Sequence, residues 1–196
     1  IFLSPTFTRF IFRPNFFKAI SRPWFATSLV TNEIANHGLD MALKKLGLKL
    51  KRVKVGDKNI LKEIQDNKYF FGGEPSGHFI FKDDILIGDG MATAIRLLTL
   101  ILKEKKKLSE LRNGIDLLEE LNINQKIDRE RFYLNQESIY KKLNNLLKNL
   151  DIYYNIRPSG TEPLLRVNLQ YHKRNIKVIT LNKLKKQIIK VISDAC

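Results

Sequence analysis

Apolar residues switch repeatedly between helical and strand-like spacing from Thr27 to the end of the chain, and this alternation constrains the fold more than any other feature. Apolar residues three or four positions apart predict amphipathic helices, whereas short apolar runs bounded by Gly, Pro or Asp predict strands. The predicted helices are Leu39–Leu46, Asn59–Asp66, a long helix that starts at Gly90 and ends near Lys103–Lys107, Gln136–Leu150 and Leu181–Ser193. The predicted strands are Leu48–Val55, Tyr69–Phe71, Phe79–Phe81, Ile123–Ile127, Ile152–Ile156 and Leu164–Leu169. Asp89 is expected to cap the long helix, because its carboxylate can accept hydrogen bonds from the first-turn amides.

The order of these elements predicts two domains of different kinds. Residues 27–103 predict an α/β domain built on a mixed sheet. Residues 104–116 are mostly charged and polar and predict a linker. Residues 117–196 have the order β-α-β-β-α, which predicts a small α+β domain with its helices on one face of the sheet.

Residues 1–26 fit neither predicted domain. This segment has no acidic residue, holds most of the chain's 12 Phe, and contains prolines that exclude one continuous helix. It also lacks the uninterrupted apolar core of a secretory signal. An organelle-targeting remnant, a sequence outside its natural frame and the edge of a truncated chain all explain this composition, and we assign the segment no function.

The overall composition excludes several classes of protein. The formal net charge of +15 attracts anions. However, the lysines are scattered over the predicted helices, so we do not predict a dedicated nucleic-acid surface. The single cysteine excludes a disulfide framework and a multi-cysteine metal site within the chain, and it fits a reducing compartment such as the cytoplasm. No apolar run reaches the roughly 20 residues that cross a bilayer.

The first loop of interest, Gly-Gly-Glu-Pro-Ser-Gly-His at 72–78, joins two predicted strands. Its glycines allow positive φ angles and a close approach of backbone to a ligand. The carboxylate of Glu74, the hydroxyl of Ser76 and the imidazole of His78 are groups that exchange hydrogen bonds with a polyol. A tight turn with a solvated glutamate and a backbone-bonded histidine explains the same residues, so the sequence alone leaves both interpretations open.

The second loop of interest, Arg-Pro-Ser-Gly-Thr-Glu-Pro at 157–163, joins two later strands. Successive backbone amides form a concavity that binds phosphate oxygens, and a guanidinium adds a planar, bidentate contact. The groups that fit phosphate are two arginine side chains, two hydroxyls and the loop amides, supplied by Arg157, Ser159, Gly160, Thr161 and Arg166. Arg166 either faces this site or pairs with Glu162. A proline-bounded turn that binds nothing is the alternative.

Together, in this order, the two loops resemble the C-terminal half of the α-D-phosphohexomutase family, and its glucosamine branch in particular. Gly-Gly-Glu-Pro-Ser-Gly-His is similar to the sugar-recognition loop of that family, and Arg-Pro-Ser-Gly-Thr-Glu-Pro-Leu-Leu-Arg-Val to its phosphate-binding loop. Val55-Gly56-Asp57-Lys58 resembles the loop that closes over the sugar. The resemblance runs from about Thr27 to Ser193. The sequence departs from the family pattern at Pro75, where relatives more often have a polar residue, and at Thr31–His37, which is longer than usual.

This resemblance implies that the chain carries the third and fourth domains of a four-domain intramolecular phosphotransferase, an isomerase. The residues expected to contact the sugar are Glu74, Ser76, His78, Gly56 and Asp57. The residues expected to hold the phosphate that is not being transferred are Arg157, Ser159, Gly160, Thr161 and Arg166. The expected partners are a hexosamine phosphate and the missing N-terminal domains, without a membrane.

The resemblance also implies what this chain lacks. The phosphoserine of the first domain and the magnesium loop of the second have no counterpart here, and Asp83-Asp84 is a pair of acids typical of a solvated turn. We therefore expect no catalytic residue and no metal ligand in this chain, and no turnover by the isolated fragment. Mg²⁺ is expected in the full-length enzyme only.

Two alternatives remain open at this point. Sugar identity depends on few contacts, so a phosphomannomutase or phosphoglucomutase is the rival within the family. A non-catalytic module that binds sugar phosphates or polyanions, suggested by the positive charge, is the rival outside it.

Overall fold

The computed structural model describes residues 28–67, 69–82, 88–111 and 115–196, apart from the side chain of Val178. The unassigned segment 1–26 and the acidic pair Asp83-Asp84 lie outside these residues. The described residues form two compact units, which divide between Leu117 and Leu118. The fold class is as predicted, an α/β unit with a mixed sheet followed by a small α+β unit.

The first unit contains a four-stranded sheet in the order β2-β1-β3-β4. Three strands run parallel, and the fourth is antiparallel to β3. The strands are β1 (Ser28–Asn32), β2 (Lys49–Val53), β3 (Phe71–Gly73) and β4 (Phe79–Phe81). The helices are α1 (Gly38–Lys45), α2 (Asp57–Asp66), α3 (Gly90–Glu104) and α4 (Leu108–Leu111). Because α1 and α2 are the crossovers between parallel strands, all three parallel strands end at the same edge of the sheet.

Both faces of this sheet are buried, as expected for parallel strands. Leu29 and Phe71 pack with side chains of α1 and α3 on one face. Val30 packs with side chains of α2 on the other. A Cβ at Gly72 would lie 2.4 Å from Ile60 Cγ2, so glycine at this position allows α2 to pack directly against β3.

Helix α3 begins as predicted, because Asp89 Oδ1 accepts hydrogen bonds from the amides of Met91 (2.8 Å) and Ala92 (3.1 Å). The stretch 104–116, predicted as a linker, contains α4. Leu111 on α4 is 1% exposed and belongs to the core of the first unit, with Ile115 packed at its edge. Two of the apolar residues of this polar stretch, Leu111 and Ile115, therefore face that core, whereas Leu108 is exposed. None of the described helices is both long and apolar enough to cross a membrane.

The second unit is a three-stranded antiparallel sheet in the order β5-β7-β6, covered on one face by two helices. Its elements are β5 (Glu119–Lys126), α5 (Arg129–Leu147), β6 (Ile152–Pro158), β7 (Leu164–Tyr171) and α6 (Val178–Ser193). The predicted order β-α-β-β-α is confirmed. Side chains at alternate strand positions, such as Leu165 and Val167, form the core with Phe132, Ile139 and Ile188 of the helices.

The structure differs from the predicted elements most clearly at β1, β5 and α5. β1 was not predicted, because the residues before it show no periodicity that would mark its start. β5 begins at Glu119, before the predicted start at Ile123, because the polar residues Glu119, Glu120 and Asn122 hide the strand pattern in its first half. α5 begins well before Gln136, and Asp128 caps it by accepting the Arg131 amide (2.9 Å). The first half of α5 buries little besides Phe132, so its apolar periodicity is weak.

Candidate functional site

The loop 74–78 leaves the first sheet at the edge where the three parallel strands end. Asn32 is the last residue of β1, Gly56 follows β2, and Glu74 directly follows β3. In open α/β sheets, ligands bind outside the carboxyl ends of the strands. The fold therefore brings these three residues to the position where a binding site is expected.

Glu74 is a buried carboxylate whose two oxygens have different surroundings. The residue is 6% exposed. Its Oε1 accepts hydrogen bonds from Asn32 Nδ2 (2.9 Å) and from the Gly56 amide (2.8 Å). Its Oε2 lies 3.4 Å from Ser76 Oγ, which donates to it, and 3.9 Å from His78 Nδ1. One oxygen is thus held by the protein, while the other faces Ser76 and His78.

The three side chains predicted to contact a sugar therefore converge. Ser76 and His78 are exposed, whereas the Glu74 carboxylate is fixed from behind. Carboxylate, hydroxyl and imidazole groups together can accept from and donate to neighbouring hydroxyls of a polyol. A solvated glutamate, the alternative left open by the sequence, does not describe a residue that is 6% exposed.

The backbone of this loop forms a turn that glycine permits. Gly77 has a φ of 94°, in the region that side chains disfavour. Its amide donates to the Glu74 carbonyl (2.9 Å), and the Glu74 amide donates to the His78 carbonyl (2.9 Å). Neither of these bonds requires an amide hydrogen at position 75. Pro75, the departure from the family pattern, therefore fits the turn.

Gly56 and Asp57, the weaker sugar candidates, lie in different environments. Gly56 has a φ of 126° and gives its amide to Glu74. Asp57 is exposed at the first residue of α2, and its Oδ1 accepts the Lys58 amide (2.9 Å). The hydrogen bonds described around Glu74 thus include Gly56 and do not include Asp57.

Neither Asn32 nor Arg52 was predicted from the sequence to take part in the site. Arg52 donates to the carbonyls of Asn32 (3.1 Å) and Ala35 (2.8 Å) and pairs with Asp40. These contacts fix the turn after β1. They thereby also help to hold the Asn32 side chain, whose Nδ2 donates to Glu74. Asn32 and Glu74 are 42 residues apart, so no local pattern links them. The one available signal was the position of a polar residue, Asn32, at the end of a strand.

The loop 159–163 closes the hairpin between β6 and β7. The Ser159 amide donates to the Leu164 carbonyl (2.8 Å), and the Glu162 amide donates to Ser159 Oγ (3.3 Å). The Ser159 amide was expected to face a ligand, but the turn uses it for the bond that closes the hairpin. Gly160 and Thr161 are exposed at the tip, which leaves their amides as the candidate phosphate donors.

Arg157 and Arg166 lie directly opposite each other on neighbouring strands, so their side chains leave the same face of the sheet. Arg166 forms an ion pair with Glu162, one of the two interpretations that the sequence left open, and its contact with phosphate stays a prediction. Like charges directly opposite each other are destabilising, and Glu162 offsets part of this repulsion. A cationic pair beside an exposed turn favours the binding of an anion there.

The described residues offer hydrogen bonding rather than a metal centre. No three His, Cys, Asp or Glu side chains cluster within 28–67, 69–82, 88–111 or 115–196. Cys196 packs at the edge of the second core, and burial raises the pKa of its thiol, which disfavours the reactive thiolate.

Solved structures with this fold include one that is described as a member of the α-D-phosphohexomutase superfamily. An N-acetylglucosamine-phosphate mutase in its substrate complex is 16% identical and superposes with a TM-score of 0.72, covering 96% of this chain and 42% of that chain. Aspergillus fumigatus N-acetylphosphoglucosamine mutase in complex with GlcNAc-6P and magnesium is 13% identical and superposes with a TM-score of 0.71. The superposition covers 97% of this chain and 43% of that chain. At these identities the likeness shows the fold alone.

The sequence model of the phosphoglucomutase/phosphomannomutase alpha/beta/alpha domain III matches residues 16–117, and the chain therefore belongs to this family. Phosphoglucosamine mutase from Ruminiclostridium cellulolyticum is 37% identical over 173 residues, covering 84% of this chain and 37% of that protein. Phosphoglucosamine mutase from Clostridium botulinum strain Hall is 40% identical over 147 residues, covering 73% of this chain and 33% of that protein. The resemblance inferred from the two loops is thus confirmed, and the chain spans 33–37% of the length of these relatives.

Proposed function

We propose that the chain corresponds to the third and fourth domains of a phosphoglucosamine mutase, at residues 27–103 and 117–196. The complete enzyme would interconvert glucosamine 6-phosphate and glucosamine 1-phosphate through a phosphoserine and a bisphosphate intermediate. This part would bind the sugar hydroxyls with loop 74–78 and the phosphate that is not being transferred with residues 157–166. Curated relatives of 37–40% identity with the name phosphoglucosamine mutase support this assignment over other hexose phosphates.

The observation that carries the proposal is the buried carboxylate of Glu74. Taking a carboxylate out of water costs several kcal/mol, of order 20 in the idealised limit, unless hydrogen bonds offset it. Asn32 and Gly56 satisfy one oxygen and so fix the direction of the other, which faces Ser76 and His78. A carboxylate held in this way at the end of the parallel strands is suited to recognise hydroxyls rather than to interact only with solvent.

The proposed role of this chain is to position the bisphosphate intermediate. A bisphosphate intermediate must present each of its ends in turn to one phosphoserine. A fixed phosphate site away from that serine holds the other end and converts binding energy into orientation. The transferring serine and the Mg²⁺ that would balance charge in the transfer are assigned to the part of the enzyme outside this chain, and the setting is proposed to be the cytoplasm.

Replacing Arg157 by alanine is expected to weaken binding of glucosamine 6-phosphate to the 196-residue chain about tenfold, the lower end for losing a charge-assisted hydrogen bond. Isothermal titration calorimetry at physiological ionic strength, where distant exposed charges are screened, measures this change. The matched control is Arg174→Ala, which removes the same charge from an exposed turn after β7. It is expected to change the affinity by less than about twofold. Equal losses in the two variants would mean that general positive charge, and not this site, attracts the phosphate.

A phosphomannomutase or phosphoglucomutase is the second candidate, because the matching family model is described by those two activities. Coupled assays of the complete enzyme on glucosamine, glucose and mannose phosphates discriminate between them, and a preference for glucose or mannose phosphate would replace the glucosamine assignment. The net charge of +15 favours a polyanion-binding module as the candidate outside the family. Tight, salt-sensitive binding of nucleic acid in place of hexosamine phosphate would support that module.

A further inference from the structure

We propose that Arg129, a residue outside both predicted sites, is a positioning residue that directs the Thr161 amide toward the bound phosphate. The inference rests on the proposed function, since it concerns the same turn, 159–163. Arg129 is exposed at the first residue of α5. Its Nη2 donates to the carbonyl of Gly160 (3.4 Å) and to the carbonyl of Glu162 (3.1 Å).

The bond to Gly160 determines the direction of one amide at the tip of the turn. The Gly160 carbonyl and the Thr161 N–H belong to the same peptide unit. That unit is planar and trans, so its N–H points away from its C=O. When Arg129 holds the Gly160 carbonyl on its own side, the Thr161 N–H is directed to the opposite side of the turn. Arg129 therefore orients a donor that it does not itself contact.

The other peptides of the turn have hydrogen bonds besides the one from Arg129 to the Glu162 carbonyl, which itself also accepts the Leu164 amide (2.8 Å). The Ser159 amide closes the hairpin, and the Ile127 amide donates to the Pro163 carbonyl (3.0 Å). The Glu162 amide is bonded to Ser159 Oγ. Within the described part of the chain, the hydrogen bond that restrains the peptide between Gly160 and Thr161 comes from Arg129.

Helix α5 holds Arg129 in place for this contact. Asp128 caps the helix by accepting the Arg131 amide, and the Phe132 amide donates to the Asp128 carbonyl (2.9 Å). Phe132 itself is fully buried in the second core. The backbone that carries Arg129 is thus fixed on both sides of the contact, and a guanidinium is a rigid fork suited to hold two carbonyls.

Without Arg129, glycine would allow this peptide to turn over. Gly160 has open space around its Cα, and glycine populates positive and negative φ about equally. A turned peptide presents its carbonyl oxygen, which repels phosphate, in place of its N–H. Binding would then require the peptide to be ordered first, and the affinity falls by the fraction of molecules that are competent.

The experiment titrates glucosamine 6-phosphate into the ¹⁵N-labelled 196-residue chain and its Arg129→Met, Arg129→Lys and Arg131→Met variants. NMR reports both the dissociation constant and the ligand-induced shift of the Thr161 amide. Arg131→Met is the matched control, because it removes the same charge from an exposed position in the same helical turn. Arg129→Met is expected to weaken binding about fivefold and to reduce the Thr161 shift, and Arg129→Lys to recover part of both. Arg131→Met is expected to change affinity by less than about twofold.

Each other outcome overturns a stated claim. If the unmodified chain binds but Arg129→Met behaves like Arg131→Met, the positioning role is wrong and the proposed function stands. If Arg129→Lys restores the affinity without restoring the Thr161 shift, charge and not orientation is responsible, which also overturns the positioning role. If the unmodified chain shows no binding at this turn, the proposed function fails and the positioning role fails with it. Should Arg129→Met lower the melting temperature, Arg129→Lys and the Thr161 shift still decide the question.

Discussion

Replacing Glu74 by glutamine is expected to weaken binding of glucosamine 6-phosphate about 30-fold or more, the effect of losing charge-assisted hydrogen bonds worth about 2 kcal/mol. Glutamine has almost the same shape as glutamate, and its amide oxygen can replace Oε1 as the acceptor for Asn32 and Gly56. The amide nitrogen then replaces Oε2, so a donor stands where the sugar hydroxyls find an acceptor. Calorimetry measures the affinity, and thermal unfolding verifies that the fold is intact.

A matched control separates this effect from a general change of charge. Glu63→Gln removes one negative charge from α2 in the same unit, where Glu63 Oε1 accepts from the exposed Asn67 side chain (3.1 Å). Its binding is expected to stay within about twofold of the unmodified chain. If Glu74→Gln binds as tightly as this control, Glu74 is a structural residue and the sugar assignment of loop 74–78 is wrong.

Replacing Asn32 by alanine is expected to destabilise the first unit by about 2–4 kcal/mol, because it removes a partner of a buried carboxylate. Asn32 is 1% exposed, and its Nδ2 is one of two donors to Glu74 Oε1. Its Oδ1 also accepts the Ile34 amide (3.2 Å), so the turn after β1 loses a bond as well. Denaturant unfolding followed by NMR signals of β1 and β3 measures the change for this unit separately from the other.

A double-mutant cycle tests whether the cost comes from Glu74. In the Glu74→Gln background no buried charge is left unsatisfied, so Asn32→Ala is expected to cost at least about 1 kcal/mol less than in the unmodified chain. Asn59→Ala is the control, since Asn59 donates to the carbonyls of Lys54 and Val55 at the exposed start of α2. Its cost is expected to be the same in both backgrounds. An equal cost of Asn32→Ala in both backgrounds would contradict the role assigned to this contact.

Local patterns in the sequence were enough to predict most of the fold. The helical spacing of Leu39, Ala42 and Leu43 matches residues that are buried on α1, and the carboxylate of Asp89 caps α3. Both follow from interactions between residues a few positions apart. The start of α5 could not be predicted from such local patterns, because the first half of this helix packs through Phe132 and shows little apolar periodicity.

The site was predictable as two loops but not as a hydrogen-bond network. Glycine and proline marked where the chain turns, and the side chains of Glu74, Ser76 and His78 indicated the chemistry. The donors that fix Glu74 come from the ends of other strands, and the bonds of Arg129 join residues 31 and 33 positions apart. Such contacts depend on tertiary structure, which no local spacing records. The internal use of the Ser159 amide likewise depends on how the hairpin closes.

The most direct test of the central claim, that loop 74–78 binds sugar hydroxyls and residues 157–166 bind phosphate, is an NMR titration of the ¹⁵N-labelled chain. Glucosamine 6-phosphate, inorganic phosphate and glucosamine are added separately at matched ionic strength. The account predicts that glucosamine 6-phosphate shifts the amides of Gly77 and His78 and those of Gly160 and Thr161. Inorganic phosphate should shift the second pair alone, and glucosamine the first pair alone. Shifts that miss both loops and follow the exposed lysines of the helices would contradict it.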